Sequence, residues 1–101
     1  NSSINTDIMN FLSIDCSTEI GSLFLKTKSR TFNKILQSDK YDNDLLMKHI
    51  LDFFKENNSE FNDISEIFVN VKSNFANTIK NIKFWVQSKY GSIEFSIFYC
   101  L

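Results

Sequence analysis

Asp15 is the residue best placed to do chemistry in this chain. It ends an apolar run, Phe11-Leu12-Ser13-Ile14, and opens into the small hydroxyl residues Ser17 and Thr18. A carboxylate at such a turn is a candidate for a phosphate or nucleotide site. Such a site also needs backbone amides from a glycine-rich turn nearby, and the whole chain holds two glycines and no proline. Asp15 therefore reads first as a turn residue, with a nucleotide site as its sharper and weaker alternative. Cys16 follows directly, and the Asp15 charge disfavours its thiolate. His49 is the only histidine and lies between Lys48 and Ile50 with no Cys/His cluster around it, which favours a helix-surface residue over a ligand or base. Lys72, Lys80, Lys83 and Lys89, interleaved with Trp85 and Tyr90, could form an RNA-contacting patch, but charges so spaced more often make a solvated helix face. No catalytic constellation, cofactor site or metal site emerges from the residues.

The elements that position these residues follow in order. Phe11 to Ile14 suits a buried strand, and Ser17 and Thr18 can hydrogen-bond the turning backbone. Glu19 to Thr27 reads as a second strand, Lys28-Ser29-Arg30 as a tight turn, and Thr31 to Gln37 as a third strand, giving an antiparallel meander. After a polar loop at Ser38 to Asn43, Asp42 or Asn43 can cap a helix over Asp44 to Asn57. Its apolar positions, Leu45, Leu46, Met47, Ile50, Leu51, Phe53 and Phe54, make a stripe wider than one sheet face requires. The excess, around Leu46, Met47, Ile50, Leu51 and Phe54, is available either to a second helix of the same domain or to another chain. Ile67 to Val71 reads as a central strand, parallel to the first and reached by the helical crossover.

Composition places the chain at one small domain of 101 residues, 43% hydrophobic and carrying 11 Phe, so a core can form. A net charge of −1 gives no overall footprint for nucleic acid. The two cysteines, Cys16 and Cys100, form no framework, and reduced thiols in the cytoplasm are the default. No apolar run approaches a membrane span. Residues 1–8 are polar and precede Met9; they read as a leader or non-native segment. The composition changes at Lys72. Residues 1–71 hold seven basic and eleven acidic side chains, whereas 72–101 hold four and one. Phe75, Ile79, Ile82 and Val86 fit one helical face, and Ser92 to Cys100 alternates as a strand with Ile93, Phe95, Ile97 and Tyr99 on one side.

The run Phe11-Leu12-Ser13-Ile14-Asp15-Cys16-Ser17-Thr18-Glu19 resembles the opening of the TsaB (YeaZ) family, a strand followed by Ile-Asp-Thr-Ser-Thr. The helix with Leu45, Leu46, Ile50, Phe53 and Phe54 falls where that family has its first long helix. Asp63-Ile64-Ser65-Glu66-Ile67-Phe68-Val69-Asn70-Val71 is similar to its Asp-Leu-Asp-x-Ile-x-Val segment. The resemblance covers Met9 to Val71 and implies an α/β fold of the actin/Hsp70-like, ribonuclease-H-like kind. It also implies a non-catalytic role in making N6-threonylcarbamoyladenosine in tRNA. The implied partners are a catalytic TsaD-type subunit and the ATPase subunit of the same complex, with a homodimer as a further option and tRNA met only indirectly. The wide stripe around Leu46, Met47, Ile50, Leu51 and Phe54 would then face the partner. Lys72-Ser73-Asn74-Phe75 stands where the family has Gly-Pro-Gly-Ser-Phe-Thr-Gly, and Asp42 where it often has His. With the composition break, this marks residues 72–101 as a divergent tail, possibly frameshifted or truncated, on a TsaB-like core at 9–71. The alternative from another class is a fragment of an ATP-binding actin-like or sugar-kinase-like enzyme, with Asp15 at the phosphates.

Overall fold

A computed structural model of the chain describes residues 9–36 and 43–100. Strand β1 (Phe11–Cys16) is followed by β2 (Ser22–Thr27), β3 (Arg30–Ile35), helix α1 (Asn43–Glu56), β4 (Glu66–Lys72), helix α2 (Ala76–Tyr90) and β5 (Glu94–Cys100). The strands form a single sheet in the order β3-β2-β1-β4-β5. The expected meander is present: β1 pairs antiparallel with β2, and β2 with β3. Strand β4 lies parallel to β1, with Ile14 level with Val69, as the apolar run at 67–71 predicts. The expected leader at 1–8, the loop at 38–42 and the side-chain caps at Asp42 or Asn43 lie outside what is described.

Period-two alternation divides the sheet into two unlike faces. Leu12, Ile14 and Cys16 of β1, Leu23 and Leu25 of β2, and Ile67, Val69 and Val71 of β4 are all buried on one of them. Both helices cover that face. Strands β3, β4 and β5 are mutually parallel, so the two crossovers run the same way across the sheet. Right-handed connections then place α1 and α2 on the same side, where they touch. Leu46, Ile50, Phe53 and Phe54 of α1 meet Ile79, Ile82 and Val86 of α2 in one core.

The end of α1 shows how local chemistry sets an element's boundary. Asn58 takes a left-handed backbone, φ 53°, a conformation asparagine tolerates better than most residues. Its N–H donates to the Lys55 carbonyl at 3.2 Å, and the Ser59 N–H donates to the Phe54 carbonyl at 2.9 Å. This Schellman arrangement satisfies carbonyls that the last helical turn leaves open. A short 3₁₀ turn, Phe61–Asp63, then leads into β4.

The composition change after Val71 coincides with no structural boundary. It falls within β4, and β5 pairs with β4 along its whole length, from Glu66 with Glu94 to Lys72 with Cys100. Ile79, Ile82, Val86 and Ile93 are buried as the periodicity predicts, and Phe75, Phe95 and Ile97 pack on the same core. Tyr99 departs from the expected apolar side of its strand and is 52% exposed. Among the described residues β5 is an edge of the sheet.

Candidate functional site

Asp15 lies within β1, one residue before the turn, and points to the face opposite the helices. Its Oδ1 accepts the Ser17 N–H at 3.0 Å and the Ser17 hydroxyl at 2.6 Å. Thr18 Oγ1 donates to the Ile20 carbonyl at 2.8 Å. The carboxylate thus closes an Asx turn that carries the chain from β1 towards β2. Across the sheet it is level with Asn70 and Ser22. The chain end of β4 nearby is a 3₁₀ turn at Ser73–Phe75, with no glycine to bring backbone amides close to a phosphate. This geometry supports a structural Asp15.

Beneath it, Cys16 is buried. Burial first and the Asp15 charge second push its thiol up to about 11, so it is protonated and inert at neutral pH. His49 is half-buried on α1, and Lys48 beside it donates to Asp52 at 2.8 Å. This exposed i,i+4 hydrogen bond holds the Asp52 carboxyl below its ordinary value. Among the described residues, no group of three or more His, Cys, Asp or Glu side chains could hold a metal ion.

The lysine and aromatic residues of the tail do not come together as a single patch. Trp85 and Tyr90 turn inward, into a cluster with Phe61 and Phe54. Tyr90 stacks on Phe61 at 5.1 Å between centroids, and Phe54 meets Phe61 edge-on at 4.6 Å. Lys89 lies over the Trp85 ring with its Nζ 4.8 Å from the centroid. Lys80 and Lys83 instead border a shallow hollow with Ile97 and Tyr99. The aromatic rings are engaged in packing and are not splayed to receive bases.

The five residues expected at a partner divide in two. Leu46, Ile50 and Phe54 are buried in the chain's own core, because α2 supplies the second helix that the wide stripe requires. Met47 is half-buried, and Leu51 is 42% exposed. Leu51 borders a groove at the ends of the two helices, with Phe54, Phe61 and Tyr90 as its floor and Lys55 and Glu60 on its rim. Sequence reasoning overlooked Phe84, which is 75% exposed in the middle of α2. Its signal was available: it lies off the Ile79, Ile82, Val86 face. What the helical pair presents at this end is an apolar, aromatic-floored groove.

The sheet and its two helices define a mixed α/β protein with both crossover helices on one face. Solved structures share this shape. The chain is similar to YeaZ from Pseudomonas aeruginosa, with a TM-score of 0.73 and 13% identity over 90% of this chain and 44% of that one. A second structure, of a Pseudomonas aeruginosa protein described as similar to peptidase YeaZ, matches with a TM-score of 0.73 and 13% identity over 90% and 43%. At this identity the likeness shows the fold. The matched share exceeds what residues 9–71 supply, so the shared shape extends into the tail. The chain spans less than half the length of these structures. No family model matches the sequence, and neither does any curated protein.

Proposed function

We propose that this chain is a TsaB-like N-terminal half with a ribonuclease-H-like, actin/Hsp70-like fold, acting as a non-catalytic partner in tRNA threonylcarbamoylation. The observation that carries the reading is the β3-β2-β1-β4-β5 sheet, shared over 90% of the chain with a YeaZ structure. The motif run from Phe11 to Val71 adds to it, since Ile14-Asp15 and Val69-Asn70 lie side by side in the parallel pair. The partner is a TsaD-type catalytic subunit, with the ATPase subunit of the same complex as a further member and tRNA reached through them. Its docking surface is the outer side of the helical pair, at Leu51 and Phe84, in place of the core residues Leu46, Ile50 and Phe54. Asp15, tied into its turn, gives the ATP-binding alternative little support.

Gel filtration of a full-length version carrying this half, mixed with a TsaD-type subunit, tests the reading. Co-elution is expected, and Phe84→Glu or Leu51→Glu should abolish it without loss of folding. Separate elution of the two unaltered proteins counts against the proposal. Calorimetry with Mg-ATP is expected to show no heat of binding at millimolar nucleotide.

A further inference from the structure

Charge is unevenly distributed along this chain, and the β2–β3 hairpin holds more than its share of the cations. Of the seven basic side chains in residues 1–71, four lie between Ile20 and Ser38, at Lys26, Lys28, Arg30 and Lys34. None of the eleven acidic ones falls in that stretch. Strands β2 and β3 pair from Ser22 with Ile35 to Thr27 with Arg30, so the turn between them is Lys28-Ser29. This tip lies on the β3 side of the sheet, away from β5.

The cations at the tip are restrained without being neutralised. Lys34 is committed to Glu56 of α1 at 3.1 Å. Lys28 and Arg30 are exposed and enter no ion pair among the described residues. The Arg30 guanidinium lies over Phe32, its central carbon 5.4 Å from the ring centroid. This cation–π contact limits the motion of a long side chain that binding would otherwise have to order. Between the tip and the end of α1 is an open hollow of about 310 Å³. Lys28 and Arg30 border it together with the hydroxyl and amide side chains of Thr27, Ser29, Asn58 and Ser59. Among the described residues Phe32 is its one apolar side chain and Asp63 its one carboxylate, and Asp63 accepts the Glu60 N–H at 2.9 Å.

We propose that this hollow binds the phosphate backbone of RNA directly, with Lys28 and Arg30 each meeting one phosphate. The chemistry of the lining selects that class of ligand. Two unpaired cations against a single carboxylate call for an anion. The centre of a protein–protein contact is apolar, whereas the one apolar side chain here is covered by Arg30. Phosphate and sugar oxygens are bound by Arg, Lys, Ser, Thr and Asn side chains without apolar burial, and the Arg fork matches a phosphate bidentately. The ribose 2′-hydroxyl both donates and accepts, which suits the Asn58 amide and the Ser29 and Ser59 hydroxyls. The hollow offers no uncovered ring on which a base could stack, so the contact is made to the backbone and is indifferent to sequence. Two phosphates on a single strand imply an affinity that falls about sevenfold from about 50 to about 200 mM salt. This site is separate from the outer helical face and stands whether or not the function proposed above does.

Titration of the intact chain with a short oligouridylate, followed by amide chemical shifts and by anisotropy of the labelled oligomer, tests the site. Shifts should concentrate at Thr27 to Phe32 and at Asn58 and Ser59, and the affinity should show the sevenfold fall with salt. Lys28→Gln combined with Arg30→Gln, both at exposed positions, should keep the fold, with shifts elsewhere unchanged. It should remove the binding and with it the salt dependence, since each lost phosphate contact lowers the slope by about one. Lys80→Gln combined with Lys83→Gln, on α2, should bind as the unaltered chain does. Absence of binding at low salt and millimolar oligomer overturns the proposal. So does binding that survives in the Lys28 and Arg30 variant, or that is lost in the Lys80 and Lys83 variant with shifts gathered on α2. Polyglutamate binding at the same amides as tightly as the oligouridylate also overturns it, because the site would then recognise an acidic polypeptide equally well.

Discussion

Truncation after Val71 removes α2 and β5 and leaves the stretch that carries the family-like motifs. The core loses the buried side chains of Ile79, Ile82, Val86 and Ile93. Full burial of one such side chain contributes about 1.5–3 kcal/mol, so the four together amount to about 6–12 kcal/mol. The cut also removes the partner strand of β4 along its whole length and uncovers Phe61, whose ring is stacked on Tyr90. Small domains are stable by about 5–15 kcal/mol, so the loss is comparable with everything available. Residues 1–71 alone should be unfolded or aggregated, while the full chain unfolds cooperatively in urea. Circular dichroism and urea titration of both chains decide it. Ile82→Ala is the graded version, expected to cost about 2–5 kcal/mol without abolishing the fold. A cooperative transition for 1–71 with stability close to that of the full chain refutes the view that the tail is integral.

Other perturbations test smaller parts of the structure. The folded Cys16 thiol lies near 11 against an ordinary 9.0. Its contribution is therefore complete below pH 9 and is lost as pH rises towards 11, because the unfolded chain ionises first; the difference is about 2–3 kcal/mol. Urea unfolding at pH 8 and pH 11 should show this fall in the natural chain and a smaller one in Cys16→Ala. A disulfide-forming thiol reagent at pH 8 should modify half-buried Cys100 in the folded state and leave Cys16 until unfolding. Asp15→Ala should cost about 1–3 kcal/mol by thermal melting, because the Ser17 N–H and hydroxyl both lose their acceptor, whereas Asp15→Asn keeps an acceptor oxygen and should cost less. The Lys48–Asp52 pair favours the charged carboxylate, so its support is present above the ordinary carboxylate range and fades as pH falls through the lowered value. Lys48→Met should remove that pH dependence from the melting curve.

Much of the fold was legible because its signals are local. The short apolar runs at Phe11 to Ile14 and at Ile67 to Val71 marked strands, and the helical spacing of Phe75, Ile79, Ile82 and Val86 marked a helix. Boundaries shifted where side-chain chemistry intervened. The second strand begins at Ser22 because the Asp15–Ser17 turn and the Thr18 hydroxyl hold the preceding residues in a bend. What was not legible is pairing between distant segments. The stripe on α1 could face α2 or another chain, and only the placement of α2 decides that Leu46, Ile50 and Phe54 are internal. The same holds for Trp85 and Tyr90. Beside four lysines they left an RNA-contacting patch open as the weaker reading, and only Phe61, far away in sequence, provides the ring on which Tyr90 stacks.

The two faces of the sheet also bear on what the protein does. Helices cover the side of Leu12, Ile14 and Val69, while on the other side Phe11 lies 5.9 Å from Phe24 and 5.4 Å from Phe68 between ring centroids. The first pair is tilted and the second edge-to-face, arrangements in which aromatic rings cover one another. The three rings are half-buried by mutual contact, and lie among Ser13, Ser22, Asn33 and Asn70. This polar dilution separates the aromatic cluster from a continuous apolar surface, and it reaches the sheet edge, where Asn70 is level with Phe98. Among the described residues the exposed large apolar side chains are spread over several elements, Ile35 on β3, Leu51 on α1, Phe84 on α2, and Phe98 and Tyr99 on β5, so no one element gathers them.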